Sequence, residues 1–136
     1  DTSFDERFYW SKGVERKLAD TNEVGEDGKA IIDPQTGKQL VTLGLKSIWI
    51  GRTKETANGM LSKTDWYVTR KAEAGTAIPS DISKYRTDVR TATKTIEDKI
   101  NNCTNVTEFM KLFDVPMDSD NKPTGNAPIY DFPDEV

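Results

Sequence analysis

Two pairs of aspartates are the first residues whose types and spacing could do chemistry. Asp118 and Asp120 stand two apart, as calcium-loop ligands do. Lys122 takes the next ligand position, however, and no glutamate follows at the required distance. Asp27 and Asp33 flank a separate turn and fit no EF-hand spacing. Asp65 and Glu73 could serve as paired carboxylates, but eight helical residues separate them by about 12 Å, too far to share a proton. Gly25-Glu26-Asp27-Gly28-Lys29 lacks the length and the hydroxyl residue of a phosphate-binding loop. Asn102-Cys103-Thr104 and Asn105-Val106-Thr107 match the glycosylation acceptor pattern, which without a secretory signal reads as coincidence. The 136 residues include no histidine and one cysteine, Cys103. The commonest general base, every histidine-activated nucleophile, an internal disulfide and a thiolate metal cage are thereby removed. The expectation is a chain that is not an enzyme and uses no metal and no cofactor.

What remains as candidate chemistry is large apolar surface. Phe4, Phe8, Tyr9 and Trp10 crowd one end of the chain, and Ile129, Tyr130 and Phe132 the other. Apolar residues are only 35% of the sequence and charged ones 31%, so the core must be small. Aromatic anchors dominate interface energetics, and these seven residues are the candidate partner-binding set. Local packing inside the same domain is the competing use for them. Trp10 or Trp49 could alternatively offer a stacking platform to a glycan.

Charge is unevenly spread. The net charge is −4, yet residues 42–100 hold 11 basic and 7 acidic side chains, and residues 101–136 hold 2 basic and 7 acidic. A basic middle can signal nucleic acid. Here Glu55, Glu73, Asp81, Asp88, Glu97 and Asp98 interleave with the cations, which marks a solvated helix surface instead. The acidic end would repel phosphate, so the reading is against a nucleic-acid partner. No run of about 18 apolar residues could span a membrane. The opening DTSFDERF has no signal-peptide pattern. It does not start at methionine, which suggests a trimmed or missing beginning.

The elements that must position these residues can be read in order. Residues 4–20 predict a hairpin turning at Ser11-Lys12-Gly13. Residues 22–41 predict a polar connector with a second weak hairpin. Its turns are Glu26-Asp27-Gly28-Lys29 and 33–38, and they set the strands Ala30-Ile31-Ile32 and Gln39-Leu40-Val41 beside each other. Residues 42–62 predict a helix with Leu45, Ile48, Trp49, Ala57, Met60 and Leu61 on one face and Thr42 as a candidate N-cap. The stretch Arg52 to Thr56 should be exposed. Gly51 and Gly59 each cost roughly 1 kcal/mol inside that helix and should either admit a close backbone or bend it. A short helix starts near Thr64-Asp65 and stops at Gly75, with Trp66 and Arg70 close enough to stack. Pro79 opens the longest helix, whose stripe is Ile82, Tyr85, Val89, Ala92 and Ile96. Packing against the 42–62 helix and pairing in an intermolecular bundle are both open for that stripe. Asn105 and Glu108 have capping-box spacing ahead of Val106, Phe109, Met110 and Phe113, in a helix that Pro116 ends. The last residues suit an extended arm docked in a groove, on this chain or on a neighbour.

The ordered series Leu61-Ser62-Lys63-Thr64-Asp65-Trp66, Arg70-Lys71-Ala72-Glu73, Ile78-Pro79, Tyr85-Arg86 and Arg90 resembles bacteriophage tail fibre assembly and tail assembly chaperone-like proteins. Gly44-Leu45-Lys46-Ser47-Ile48-Trp49 fits the same kind of small phage protein, and the likeness covers about residues 42–100. The resemblance marks Thr64, Asp65, Trp66, Arg70, Tyr85 and Arg86 as motif positions. It implies a non-enzymatic phage protein, made in the host cytoplasm and found at the virion tail, whose partners are other tail or fibre proteins or a second copy of itself. The chain departs from the family where a "leucine-arginine-aspartate" is replaced by Val89-Arg90-Thr91. The aromatic N-terminal region and the proline-bearing tail lie outside the matched part and favour a resident virion component over a transient helper. Another virion subunit (neck, baseplate or head decoration) and a glycan-binding module of the receptor-binding apparatus are the alternatives. The expected fold is α+β, with a small β-hairpin region at 1–41, a three- or four-helix domain with a helical hairpin at 42–113, and an extended acidic arm at 114–136.

Overall fold

A computed structural model describes residues 4–136; the first three residues of the 1–41 region lie outside the described residues. The α+β expectation holds: two small antiparallel strand pairs precede four helices. β1 (Tyr9–Ser11) pairs with β2 (Val14–Glu15), and Gly13 turns between them at φ 78°, a conformation only glycine adopts freely. β3 (Thr21–Asn22) pairs with β4 (Val41–Thr42).

The connector between β3 and β4 closes on itself. Glu23 N–H donates to Leu40 C=O (2.8 Å), Leu40 N–H to Ile31 C=O (2.8 Å), and Ile31 N–H to Glu23 C=O (3.1 Å). Three chain segments therefore form a ring of main-chain hydrogen bonds. The Gln39 side-chain amide donates to the carbonyls of those same residues, at 2.7 Å to Glu23, 3.2 Å to Ile31 and 3.0 Å to Leu40. Only the amide nitrogen can face three acceptors, which fixes the orientation of that side chain. Asp27 and Asp33 are spent inside the turns, accepting from the N–H groups of Lys29 and Gln35.

α1 (Leu45–Ser62) begins three residues later than Thr42, which lies in β4 instead of capping the helix. The free amides at the helix start are met from elsewhere in the chain. Leu45 and Lys46 donate to the carbonyls of Lys17 and Leu18, and Gly44 donates to Asp20 Oδ1 at 2.8 Å. A Cβ at Gly44 would stand 2.3 Å from the Leu18 carbonyl oxygen, so close passage of these two segments requires glycine. Gly51 and Gly59 meet nothing within 4 Å and admit no neighbouring backbone. Thr53, expected on the exposed face, is buried, and its hydroxyl donates back to the Trp49 carbonyl.

α2 (Asp65–Ala74) ends at Gly75 in the left-handed conformation, with its N–H returned to Lys71 C=O. α3 (Ser80–Asn101) starts one residue after Pro79. Of its expected stripe, Ile82, Tyr85, Val89 and Ile96 are buried and Ala92 is half-buried; Tyr85, Val89 and Ile96, with Ile100 beyond them, share core clusters with α1, so the helical hairpin accounts for that seam. The two helices run antiparallel: Lys46 Nζ near the start of α1 bonds the Asn101 carbonyl at the end of α3. α4 (Val106–Lys111) is capped by Asn105 Oδ1, which accepts from Glu108 N–H at 2.8 Å, while the Glu108 carboxylate reaches back to Thr104. It stops five residues before Pro116.

One core cluster draws on all three expected regions: Phe8 from the N-terminal part, Leu45, Trp49, Ile96, Ile100, Val106 and Phe109 from the helices, and Ile129 from the arm. Each such burial is worth about 1.5–3 kcal/mol. Phe8 meets Phe109 and Phe113 edge-on at 6.0 and 5.0 Å. Ile129 is 2% exposed, sits in a short 3-10 turn (Pro128–Tyr130), and gives its N–H to the Leu112 carbonyl. The arm is therefore core at Ile129, because its apolar side chain fills the space between α1, α3 and α4. A second, smaller cluster of Ala57, Tyr85 and Val89 lies along α1 and α3.

Candidate protein-binding surface

The motif residues separate into a buried joint and an open face. Arg86, on α3, is 8% exposed. Its Nη1 donates to the Leu61 carbonyl at 2.9 Å, to Thr64 Oγ1 at 2.8 Å and to Asp65 Oδ1 at 3.0 Å. One guanidinium thus meets the carbonyl end of α1, the residue that turns the chain and the first residue of α2. The charge favours the negative end of the α1 dipole. The Thr64 hydroxyl also donates to Leu61 C=O, which makes Thr64 a strut within the turn; it makes no side-chain cap for α2. Tyr85, one position before Arg86, is buried against Ala57 and Val89.

α2 stands outside this joint and buries none of its residues. Trp66 is 52% exposed and stacks on Tyr67 with ring centroids 3.8 Å apart. The Arg70 guanidinium lies over both rings, 5.0 Å from Trp66 and 5.5 Å from Tyr67, as the four-residue spacing predicts for the tryptophan. Val68 is exposed beside them. Tyr67 escaped sequence reasoning because adjacent helical residues do not share a face; the stack is made by the side chains leaning together.

The seven terminal candidates do not form one surface. Phe8 and Ile129 are core and cannot reach a partner. Phe4 is half-buried. Tyr9 and Phe132 are partly buried against the core, and the Tyr9 hydroxyl faces Met110 Sδ at 4.0 Å. Trp10 and Tyr130 are open, at 53% and 51%. Trp10 borders a groove of about 270 Å³ with Val14, Thr42 and Leu43, and Arg16 covers its ring at 3.7 Å. Val14 and Leu43 carry no sequence signal for that role. Trp49 is buried edge-on to Phe113 and offers no platform to a sugar.

Three carboxylates are tuned by their hydrogen bonds, and the Arg7 side chain holds Asp5 below the usual range. The Gly44 N–H, and then the Ser47 hydroxyl, hold Asp20 below the usual carboxylate range. The Thr104 hydroxyl and N–H do the same for Glu108. Burial pushes the Cys103 thiol up, away from the reactive thiolate. Asp118 Oδ1 is occupied by the N–H groups of Asp120 and Lys122. Among the described residues no cluster of three or more histidine, cysteine, aspartate or glutamate side chains could hold a metal, and no helix is long and apolar enough to cross a membrane. The arrangement therefore offers apolar and cationic contact surface. No family model, curated protein or solved structure matches this chain.

Proposed function

We propose that this chain is a bacteriophage tail-associated structural or assembly protein that works by protein–protein contact. The observation that carries the reading is α2: a ten-residue helix with no fully buried residue, held by a buried arginine joint, with Trp66 and Val68 exposed and Tyr67 and Arg70 half-buried beside them. A helix this short is marginal in water by itself. Fixing one rigidly while leaving its aromatic face open is how a docking element is built. Thr64, Asp65, Trp66, Arg70 and Arg86, among the residues that carry the likeness to tail assembly proteins, lie in this joint and on this helix, which supports the reading.

Mass spectrometry of purified particles, together with co-purification from infected cells, tests the proposal. The expected result is recovery in a stoichiometric complex with a tail or fibre protein, lost when Trp66 and Arg70 are both replaced by alanine. Presence in the particle identifies a resident subunit, and presence only in the infected cell a transient helper. Recovery in neither would sink the reading.

A further inference from the structure

The tail beyond Ile129 is built as a strap. Asp131 sits at φ −81° and ψ 68°, and Phe132 N–H returns to Tyr130 C=O at 2.8 Å, an inverse γ-turn. That turn redirects the chain and lays Phe132 on the Ala57, Tyr85 and Val89 cluster. Three residues on, Glu135 meets Lys63 Nζ at 2.6 Å. Lys63 follows the last residue of α1 and precedes Thr64, so this ion pair abuts the joint that orients α2. The strap's two anchors are weak compared with Ile129. Phe132 is only partly buried, and the Lys63–Glu135 pair is exposed on both sides.

We propose that this end of the α1–α3 pair, lined by Ala57, Met60, Leu61, Tyr85 and Val89, is a peptide-docking site. The chain's own strap holds it at rest, and a partner segment of the same chemistry takes it during assembly: an aromatic side chain followed three residues later by a carboxylate. The proposal rests on the protein-contact reading above. The occupant is argued from the strap seated in the site and from charge. Residues 42–100 carry four more cations than anions, and residues 101–136 carry five more anions than cations, with Lys63 at the mouth. The Tyr85 phenol records occupancy: burial raises its pKa and the Glu135 charge raises it further, while the Lys63 charge pulls it the other way.

The test is a chain ending at Asp131, which keeps Ile129 in place, titrated by nuclear magnetic resonance with a synthetic peptide of residues 131–136. Saturable binding is expected at Met60, Leu61 and Tyr85, with the phenol titrating lower in the shortened chain and returning when peptide is added. A tethered strap competes at an effective concentration in the millimolar range, so the full-length chain should bind the peptide more weakly, by a factor of one plus that concentration divided by the peptide's Kd for the shortened chain. A peptide carrying Phe132→Ala should not bind. Absence of binding to the shortened chain, equal binding to both chains, or unfolding of the shortened chain would each overturn the proposal. Reciprocal exchange of straps in a full-length dimer, seen by light scattering, would assign the site to a second copy and overturn the partner reading. No phage partner enters this experiment, so its failure is separate from failure of the proposed function.

Discussion

Arg86 donates to the carbonyl of Leu61 at 2.9 Å, so the second turn of α3 grips the final turn of α1 across 25 residues of sequence. Because the same guanidinium holds Thr64 and Asp65, α2 leaves the hairpin in one direction. Replacing Arg86 with methionine keeps length and apolar stem but removes the donor shared by Leu61 C=O, Thr64 Oγ1 and Asp65 Oδ1, while the Leu61 carbonyl keeps the Thr64 N–H and hydroxyl. The expected loss is about 1–3 kcal/mol in chemical denaturation. Asp65→Asn should lose less than about 1 kcal/mol, since that carboxylate is largely in water. A loss in Arg86→Met no larger than in Asp65→Asn would show that the joint is unimportant.

The open face should separate binding from stability. Trp66→Ala removes a half-exposed ring that no core residue needs, so its unfolding free energy should stay within about 0.5 kcal/mol of the parent. A larger drop in thermal unfolding would place Trp66 in the fold instead of on a contact surface.

Glycines of α1 and its N-terminal cap divide by environment. Gly51→Ala and Gly59→Ala meet open space and should each stabilise by up to about 1 kcal/mol. Gly44→Ala drives a methyl group into the Leu18 and Ala19 backbone and should prevent normal docking of α1, with a midpoint lowered in urea or no cooperative transition at all. The opposite signs in one short series are the check.

These contrasts also mark what could be seen in advance. Periodicity located α1 and α3 within a few residues, because their apolar stripes are what bind the two helices together. Gly75 and the Asn105–Glu108 box were readable since caps are local chemistry. The start of α1 was not, because its cap comes from Asp20 and the carbonyls of Lys17 and Leu18, and no local pattern encodes a partner 24 residues away. Thr53 was misjudged because a hydroxyl that bonds its own helix can be buried among apolar neighbours. Of the terminal aromatics, identity announced their importance but not their direction. Phe8 and Ile129 went inward while Trp10 and Tyr130 stayed out, and that choice depends on tertiary contacts.

Acid should act through Asp5, Asp20 and Glu108. All three carboxylates have folded-state pKa values below their unfolded ones, so their contribution is complete above the ordinary carboxylate range of about 4 and is lost as pH falls through the lowered values. Thermal unfolding followed from pH 7 to pH 2 should show stability declining below about pH 4. The Asp20→Asn variant should start lower and decline less steeply. An identical slope in parent and variant would remove Asp20 as a source of the acid sensitivity.

Gln39 gives the connector between β3 and β4 a property beyond its small size. A sheet margin normally leaves donors and acceptors on offer, and such margins template unwanted strand addition and aggregation. Here Glu23, Ile31 and Leu40 spend theirs on one another, and a single carboxamide occupies the spare lone pairs. Val24, Ile32 and Val41 can therefore stay wet and greasy without recruiting foreign β-structure.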